Sequence, residues 1–349
     1  MSGGVDSSVA AALLVEEGYD VIGIMLRLWN EPGARRANRC CSPEAMTQAK
    51  RVCAILNIPF YAVDAQNVFY DQVVYPFIDD YLLGSTPNPC LNCNRHIRWE
   101  YLLDHAQAFG AEFMATGHYA RVVQASNRLQ LLKALDPSKD QSYVLHILNQ
   151  NQLSHAVFPL GLLQKNEVRN IARELNLPVA DRPESQDLCF LDDGDYRNFL
   201  RRNSNQPITE GDILNTQGEI IGKHTGIAMY TIGQRKGLGL SSPEPLYVIE
   251  KSRSDNTVVV GTKDELGQNR LWAKNVNWIS IEPPGEPIQA KVKIRYKAKE
   301  VIATIKPIQS NAVEVVFDQK LLDITPGQAA VFYDGDICLG GGIIEKSAE

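Results

Sequence analysis

The chain opens on Met1-Ser2-Gly3-Gly4-Val5-Asp6-Ser7-Ser8 and runs straight into an apolar helical pattern over 9–17 that stops at Gly18. Two glycines make a turn, and serine and aspartate follow where a helix would begin. The first N–H groups of a helix have no partner inside it, and the helix dipole adds partial positive charge there. Such a loop is an anion seat suited to phosphate. It lacks the lysine of G-x-x-x-x-G-K-[ST] and the spacing of G-x-G-x-x-G, so neither of those nucleotide fingerprints applies. The plain alternative is a helix capped by Ser or Asp after a glycine turn. In nucleotide-binding α/β folds a phosphate loop follows a buried strand, and here the loop comes first. A sheet without that strand would leave its neighbours' backbone groups unpaired. Met1 therefore reads as an internal methionine of a longer protein, with the first strand missing from this sequence.

Outward from the loop, the first half alternates strand and helix signals, as a mostly parallel sheet with flanking helices requires. Strands are expected over 19–29, 59–63 and 112–116. Helices are expected from Ser42-Pro43 to about 56, where serine caps and proline takes the first turn, and over 68–83 and 94–109. A hairpin over 120–135 turns at Ala125-Ser126-Asn127. Shorter helices are expected over 140–148, 165–175 and 195–202. Beyond Pro207 the pattern becomes short alternating strands between Gly, Asn, Asp and Pro turns, which reads as two small β domains. The expected division is 1–194, 195–267 and 268–349: an α/β parallel-sheet domain followed by two small β-rich domains.

Composition sets wide bounds. The 349 residues are 44% hydrophobic and 22% charged, with a net charge of −6. No apolar run approaches the roughly 18 residues of a spanning helix, and no signal peptide stands at the start, so the chain reads as cytoplasmic. An acidic total does not exclude nucleic acid, because a local basic patch suffices. Seven cysteines, at 40, 41, 53, 90, 93, 189 and 338, point to thiol or metal chemistry rather than a disulfide framework.

Several constellations carry chemistry. Cys90 and Cys93 form C-x-x-C in a proline-rich loop at a helix start, with Arg95, His96 and Arg98 nearby. That setting should lower a thiol pKa; a zinc half-site or a thioredoxin-like pair are the alternatives. Cys189 is alone, and by itself reads as packing. Cys53 and Cys338 read as core, and Cys40 and Cys41 sit in a polar loop. Lys291, Lys293, Arg295, Lys297 and Lys299 alternate with apolar residues, which predicts one strand with a basic face. Either an edge strand guarded by lysines or a phosphate-backbone contact would explain it, and five basic positions favour the contact. Gly233-Gln234-Arg235-Lys236-Gly237-Leu238-Gly239 is a second basic turn. Lys139-Asp140-Gln141-Ser142-Tyr143 reads alone as a helix cap.

The order S-G-G-V-D-S-S resembles the pyrophosphate-binding loop of the PP-loop ATP pyrophosphatase superfamily, whose members cleave ATP between the α- and β-phosphates. Added to it are Thr86-Pro87-Asn88-Pro89 with Cys93-Asn94, Ala115-Thr116-Gly117-His118-Tyr119, Lys139-Asp140-Gln141-Ser142-Tyr143 and Cys189 before Phe190. G-Q-R-K-G-L-G, Ile294-Arg295-Tyr296 and the closing P-G-Q-A-A-V-F-Y and C-L-G-G-G-I-I complete the set. In this order they resemble the tRNA-specific 2-thiouridylase family over essentially the whole chain.

That resemblance implies three domains, an N-terminal PP-loop domain, a small β-rich central domain and a C-terminal β-barrel, and an ATP-dependent replacement of O2 of the wobble uridine of tRNA by sulfur. The C2 carbonyl of uracil is a poor electrophile, and adenylating its oxygen makes AMP the leaving group. By resemblance, Ser2, Gly3, Gly4, Val5, Asp6 and Ser7 hold the phosphates of ATP with Mg2+, the Leu26 backbone lies by the adenine and Gly117 completes the pocket. Cys189 carries sulfur as a persulfide, and Cys93 is the second catalytic cysteine, forming a disulfide with Cys189 after transfer. Asn88, Pro89 and Cys90 touch the target base; Lys139, Asp140, Gln141, Arg295 and Tyr296 touch tRNA. Position 90 is aspartate in some members and cysteine in others, as here, so Cys90, Cys93 and Cys189 could instead ligate a [4Fe–4S] cluster. The implied partners are wobble-uridine tRNAs for Lys, Glu and Gln and a persulfide donor such as a cysteine desulfurase or relay protein, with no membrane. The rival readings are another adenylating PP-loop synthetase and a catalytically silent tRNA-binding module.

Overall fold

The computed structural model describes residues 1–33, 42–183, 188–192, 194–308 and 311–345. Cys40 and Cys41 lie outside these. Helix α1 (Val5–Glu16) starts at Gly4 and buries Val5, Val9 and Ala10–Ala12. Its small side chains let it lie close against the Lys165–Glu174 helix, with Val168 and Ala172 in one shared core. Strand β1 (Gly23–Arg27) is shorter than the 19–29 expected from its apolar run. Helix α2 (Pro43–Ile55) begins as its sequence says, with Ser42 Oγ accepting from Ala45 N at 3.2 Å. It leads to β2 (Phe60–Asp64), parallel to β1 from Gly23↔Phe60 to Arg27↔Asp64.

The next helical run covers 66–82. A second covers 89–108: an α turn at Pro89–Asn92, wider π-type turns over Cys93–Leu102, and an α ending at Leu103–Ala108. It starts five residues before the expected 94, because Asn88 caps it, its side chain accepting from Cys90 N at 3.2 Å, and Pro89 suits a first turn. Both cysteines of the C-x-x-C therefore lie in the helix itself. Strand β3 (Met114–Ala115) pairs parallel with β6 (Ala156–Val157). Among the described residues the parallel pairing of this first segment consists of these two pairs, with the Gly3–Gly4 turn between them. On one side the Met1 amino group donates to Ile24 O of β1, and on the other Gly117, just past β3, packs on the start of α1.

Between β3 and β6 comes the expected hairpin, β4 (Ala120–Ala125) and β5 (Arg128–Lys133), with Ser126 at φ 49° in its turn. The helix expected over 140–148 shrinks to Ser142–Leu145. After the Tyr196–Asn203 helix, capped by Asp195, the chain forms β7 (Gly211–Leu214), β8 (Ile220–His224), β9 (Tyr247–Ser252) and β10 (Thr257–Gly261), ordered β8-β7-β10-β9. The last segment contributes β11 (Gln268–Asn277), β12 (Ile288–Lys293), β13 (Val301–Ile308), β14 (Ala312–Leu321), β15 (Ala329–Asp334) and β16 (Ile337–Glu345). They run β11-β14-β13-β12-β15-β16, and a β11–β16 pairing closes a six-stranded barrel.

Two features depart from the sequence reading. Strand β12 ends at Lys293, and residues 294–298 turn away, so the five basic side chains do not share one strand face. Nor is β12 an edge, since β13 and β15 flank it. The hairpin of the first domain also reaches the barrel: β5 pairs with β16 through Leu132↔Ile337 and Leu131↔Cys338. Cys53 and Cys338 are core, as expected, at 1% and 0% exposure.

Candidate active site

Gly3 has φ +67°, and a Cβ there would stand 2.3 Å from the carbonyl oxygen of Ala45, so only glycine fits. The turn it makes is braced from within. Ser2 N donates to Ser7 Oγ at 3.1 Å, and Ser8 Oγ returns to Gly4 O at 2.8 Å. Helix α1 has no side-chain cap: Gly4 occupies that place. The simple capped-helix reading therefore fails. The amides of Val5, Asp6 and Ser7 lie in the first turn of α1, where a helix offers them no acceptor of its own.

Three side chains that the sequence reading did not single out surround this loop. Lys165 Nζ donates to Asp6 Oδ1 at 2.5 Å, and Tyr119 OH donates to the same oxygen at 2.8 Å. Arg182 donates through Nη1 to Gly3 O. Lys165 had one legible signal, as a cation in the first turn of a helix, where the dipole favours anions. Tyr119 closed the Ala115–Tyr119 motif without a role assigned to it, and Arg182 had no signal. Opposite them Gly117 is packed so closely that a Cβ would lie 2.7 Å from Ser7 N. Leu26 sits in β1, in register with Val63.

From Gly117 a polar chain runs to the cysteine helix. Thr116 Oγ1 and His118 Nδ1 are 2.9 Å apart, His118 Nε2 and Arg98 Nη1 3.4 Å, and Arg98 Nη1 donates to Asn94 Oδ1 at 2.9 Å. Burial, aided by Arg98, holds the His118 pKa well below its ordinary value, so the ring is neutral. With Nε2 accepting from Arg98, Nδ1 carries the proton and donates to Thr116. Asn94, beside Cys93, is buried. Cys93 and Cys189 are both partly buried and pack against one apolar cluster containing Phe69, Phe77, Ile97 and Phe190. The structure thus brings two cysteines 96 positions apart in sequence to the same wall. Cys90 is exposed and Pro89 buried.

The other expected contacts divide. Lys139 is exposed. Asp140 is buried, and its carboxylate accepts from Ala134 N (3.2 Å), Ser142 N (3.1 Å) and Ser142 Oγ (2.9 Å). Gln141 Oε1 accepts from Tyr119 N at 2.9 Å. Arg295 spans two domains, donating to Ile232 O at 3.3 Å and to Thr325 Oγ1. Tyr296 lies 6.0 Å from the Tyr143 ring, with Lys293 Nζ 5.7 Å over it. Lys291, Lys297, Lys299, Arg235 and Lys236 are exposed. Among the described residues, no group of three or more Cys, His, Asp or Glu side chains is assembled to hold a metal. Cys90, Cys93 and Cys189 form no such group, nor does any zinc-type set among these residues.

An uncapped helix start beside a Gly-Gly turn, on a parallel α/β frame with two β domains behind it, defines the PP-loop class of ATP-using proteins. Three family models match in series: the tRNA methyl transferase HUP domain over residues 1–193, the tRNA methyl transferase PRC-barrel domain over 197–262 and the aminomethyltransferase beta-barrel domain over 268–344. The chain belongs to the tRNA-specific 2-thiouridylase family. The relative tRNA-specific 2-thiouridylase MnmA 1 of Caldanaerobacter subterraneus subsp. tengcongensis is 49% identical over 99% of this chain and 96% of its own length. Its counterpart in Clostridioides difficile is 45% identical over 99% and 97%. Among solved structures, the U34-tRNA thiolase NcsA from Methanococcus maripaludis with its [4Fe-4S] cluster matches 59% of this chain and 65% of that one at 23% identity, with a TM-score of 0.34. That likeness is too slight to bear on the site. Among the described residues no helix is long and apolar enough to cross a membrane.

Proposed function

We propose that this chain is a tRNA-uridine 2-sulfurtransferase, acting on the wobble uridine at position 34 and drawing sulfur from a Cys189 persulfide. The observation that carries the reading is the uncapped anion seat of the Gly3–Gly4 turn on the same domain as Cys93 and Cys189, which share one apolar wall. Family membership implies ATP use. Ser2, Gly3, Gly4, Val5, Asp6 and Ser7 would hold the phosphates of magnesium-bound ATP, with the Leu26 backbone and Gly117 at the nucleoside.

The target base leaves its stack to enter, past Asn88, Pro89 and Cys90. Its O2 attacks the α-phosphorus, and pyrophosphate leaves with the electron pair of the α–β bridge. The terminal sulfur of the Cys189 persulfide then adds to C2. The Cys93 thiolate attacks Cys189 Sγ, the S–S bond breaks toward the base, AMP departs with its oxygen and the thiocarbonyl remains. A Cys93–Cys189 disulfide results. A thiol reductant must supply two electrons, and a persulfide donor such as a cysteine desulfurase or its relay must reload Cys189, before the next turnover. Lys139, Arg295 and Tyr296 would meet the RNA, with Asp140 and Gln141 holding Lys139 in place. The expected substrates are tRNAs for Lys, Glu and Gln, in the cytoplasm where tRNA is found.

The test is reconstitution with ATP, a persulfide donor and an unmodified wobble-uridine tRNA, read by mass spectrometry of the nucleoside. Thiolation at position 34 with one AMP per sulfur supports the reading. If Cys93→Ser and Cys189→Ser both keep ATP-to-AMP turnover on a carboxylate substrate, the chain is an amide-forming synthetase instead; no tRNA-dependent AMP at all would leave a silent binding module.

A further inference from the structure

We infer that Tyr119 is a positioning residue that couples the segment 139–141 to the phosphate loop, so that tRNA and nucleotide strengthen each other's binding. The inference rests on the reading above, in which Lys139 meets tRNA. Tyr119 is buried at 3% exposure, and its two ends answer to different parts of the site. Its hydroxyl donates to Asp6 Oδ1 at 2.8 Å, in the first turn of α1. Its main chain is clamped by a single residue: Tyr119 N donates to Gln141 Oε1 at 2.9 Å, and Gln141 N donates to Tyr119 O at 2.9 Å.

The clamp has little slack. Asp140, between Lys139 and Gln141, is buried and accepts from Ala134 N and Ser142 N. Two residues before Tyr119, Gly117 lies so near Ser7 N that a methyl group would not fit. A force on Lys139 therefore reaches Tyr119 through two backbone-anchored hydrogen bonds, and reaches Asp6 through one hydroxyl. At Asp6 it meets Lys165, which shares Oδ1 at 2.5 Å and stands 5.6 Å over the Tyr119 ring. Hydrogen bonds to a charged acceptor are strong and directional, so losing the hydroxyl leaves the carboxylate held from the Lys165 side and uncoupled from Tyr119. Coupling of two ligands is reciprocal: the factor by which nucleotide tightens tRNA equals the factor by which tRNA tightens nucleotide.

The experiment measures the Kd of an unmodified wobble-uridine tRNA with and without α,β-methylene-ATP, which cannot be cleaved at the reacting bond. The readout is the ratio of the two, so a general loss of either affinity cancels, as does a merely structural defect. Wild type should show a ratio of about fivefold or more, and Tyr119→Phe should bring it below about twofold. A ratio near one in wild type, or an undiminished ratio in folded Tyr119→Phe, overturns the inference. If Tyr119→Phe lowers the melting temperature, Gln141→Met removes the side-chain bond of the clamp, leaving the main-chain bond in place, and should still lower the ratio measurably; an undiminished ratio there also overturns it. Lys139→Met tests the underlying reading separately. If it binds tRNA as wild type does, that reading fails; if it weakens tRNA while Tyr119→Phe keeps its ratio, only the coupling fails.

Discussion

At the scale of single residues, the site depends on groups whose replacement has a computable consequence. Gly3→Ala meets the Ala45 carbonyl at 2.3 Å and also forces an L-residue to φ +67°. The backbone alone costs about 1–2 kcal/mol, so the variant should lose stability in denaturant titrations and raise KM for ATP. Lys165→Met removes the cation bonded to Asp6 at 2.5 Å. With a charged hydrogen bond worth roughly 1.5–3 kcal/mol, AMP formation should show KM for ATP rising about tenfold or more. His146 responds to pH. It is fully buried, its Nδ1–H donates to Tyr143 O at 2.7 Å, and burial pushes its pKa down to about 4 from 6.5. The folded state resists protonation that the unfolded chain accepts below 6.5. Stability is therefore fully present above that pH and falls as pH drops toward 4, by about 3 kcal/mol. His146→Gln should flatten that stretch of a melting-temperature profile, leaving the values above pH 7 closer to wild type.

At the scale of elements, local chemistry and tertiary context competed. Helix starts with good caps were legible: Ser42-Pro43 and Asp195 begin helices where the rules place them. The helix expected from 94 begins at Pro89 instead, because Asn88 and Pro89 together make a cap that the proline-rich composition disguised as loop. The basic stretch failed differently. Alternation of Lys291, Lys293 and Arg295 is genuine strand patterning, but the chain leaves the barrel after Lys293, and Arg295 bonds to the central domain. What remains exposed are Lys291 on the strand and, beyond it, Lys297 and Lys299. Lys297→Gln with Lys299→Gln should lower the slope of log Kd for tRNA against log salt by roughly one to two, an effect blind to sequence. An unchanged slope would place the RNA elsewhere.

At the scale of the molecule, the three segments are not independent. One core joins Phe69 and Phe77 of the first domain to Val248, Val258 and Val260 of the central one. Another joins Trp99 and Tyr143 to Val331 and Tyr333 of the barrel. The β4–β5 hairpin lengthens the barrel sheet beyond its six-stranded ring, and Lys133 pairs with Glu300 at 2.6 Å across the same seam. The protein should accordingly unfold in a single calorimetric transition, and a chain ending at 267 should bare the Leu131–Tyr143 face and aggregate. Separate transitions, or a well-folded truncated chain, would contradict this shared core.

By itself the sequence determined the Gly-Gly turn that opens the first helix, the α/β-then-β order of the chain and the hairpin at 120–135, because each rests on contacts within a few residues or on a motif complete in one stretch. Only the tertiary structure decided that Lys165, Tyr119 and Arg182 surround that loop, that Cys93 and Cys189 share a wall, and that a first-domain hairpin belongs to the barrel sheet. Those pairings join residues tens to hundreds of positions apart, and no local propensity or period encodes them. The same distance explains why the opening loop, read alone, could pass for a capped helix: what distinguishes it is an absent cap and two cations delivered from elsewhere in the chain.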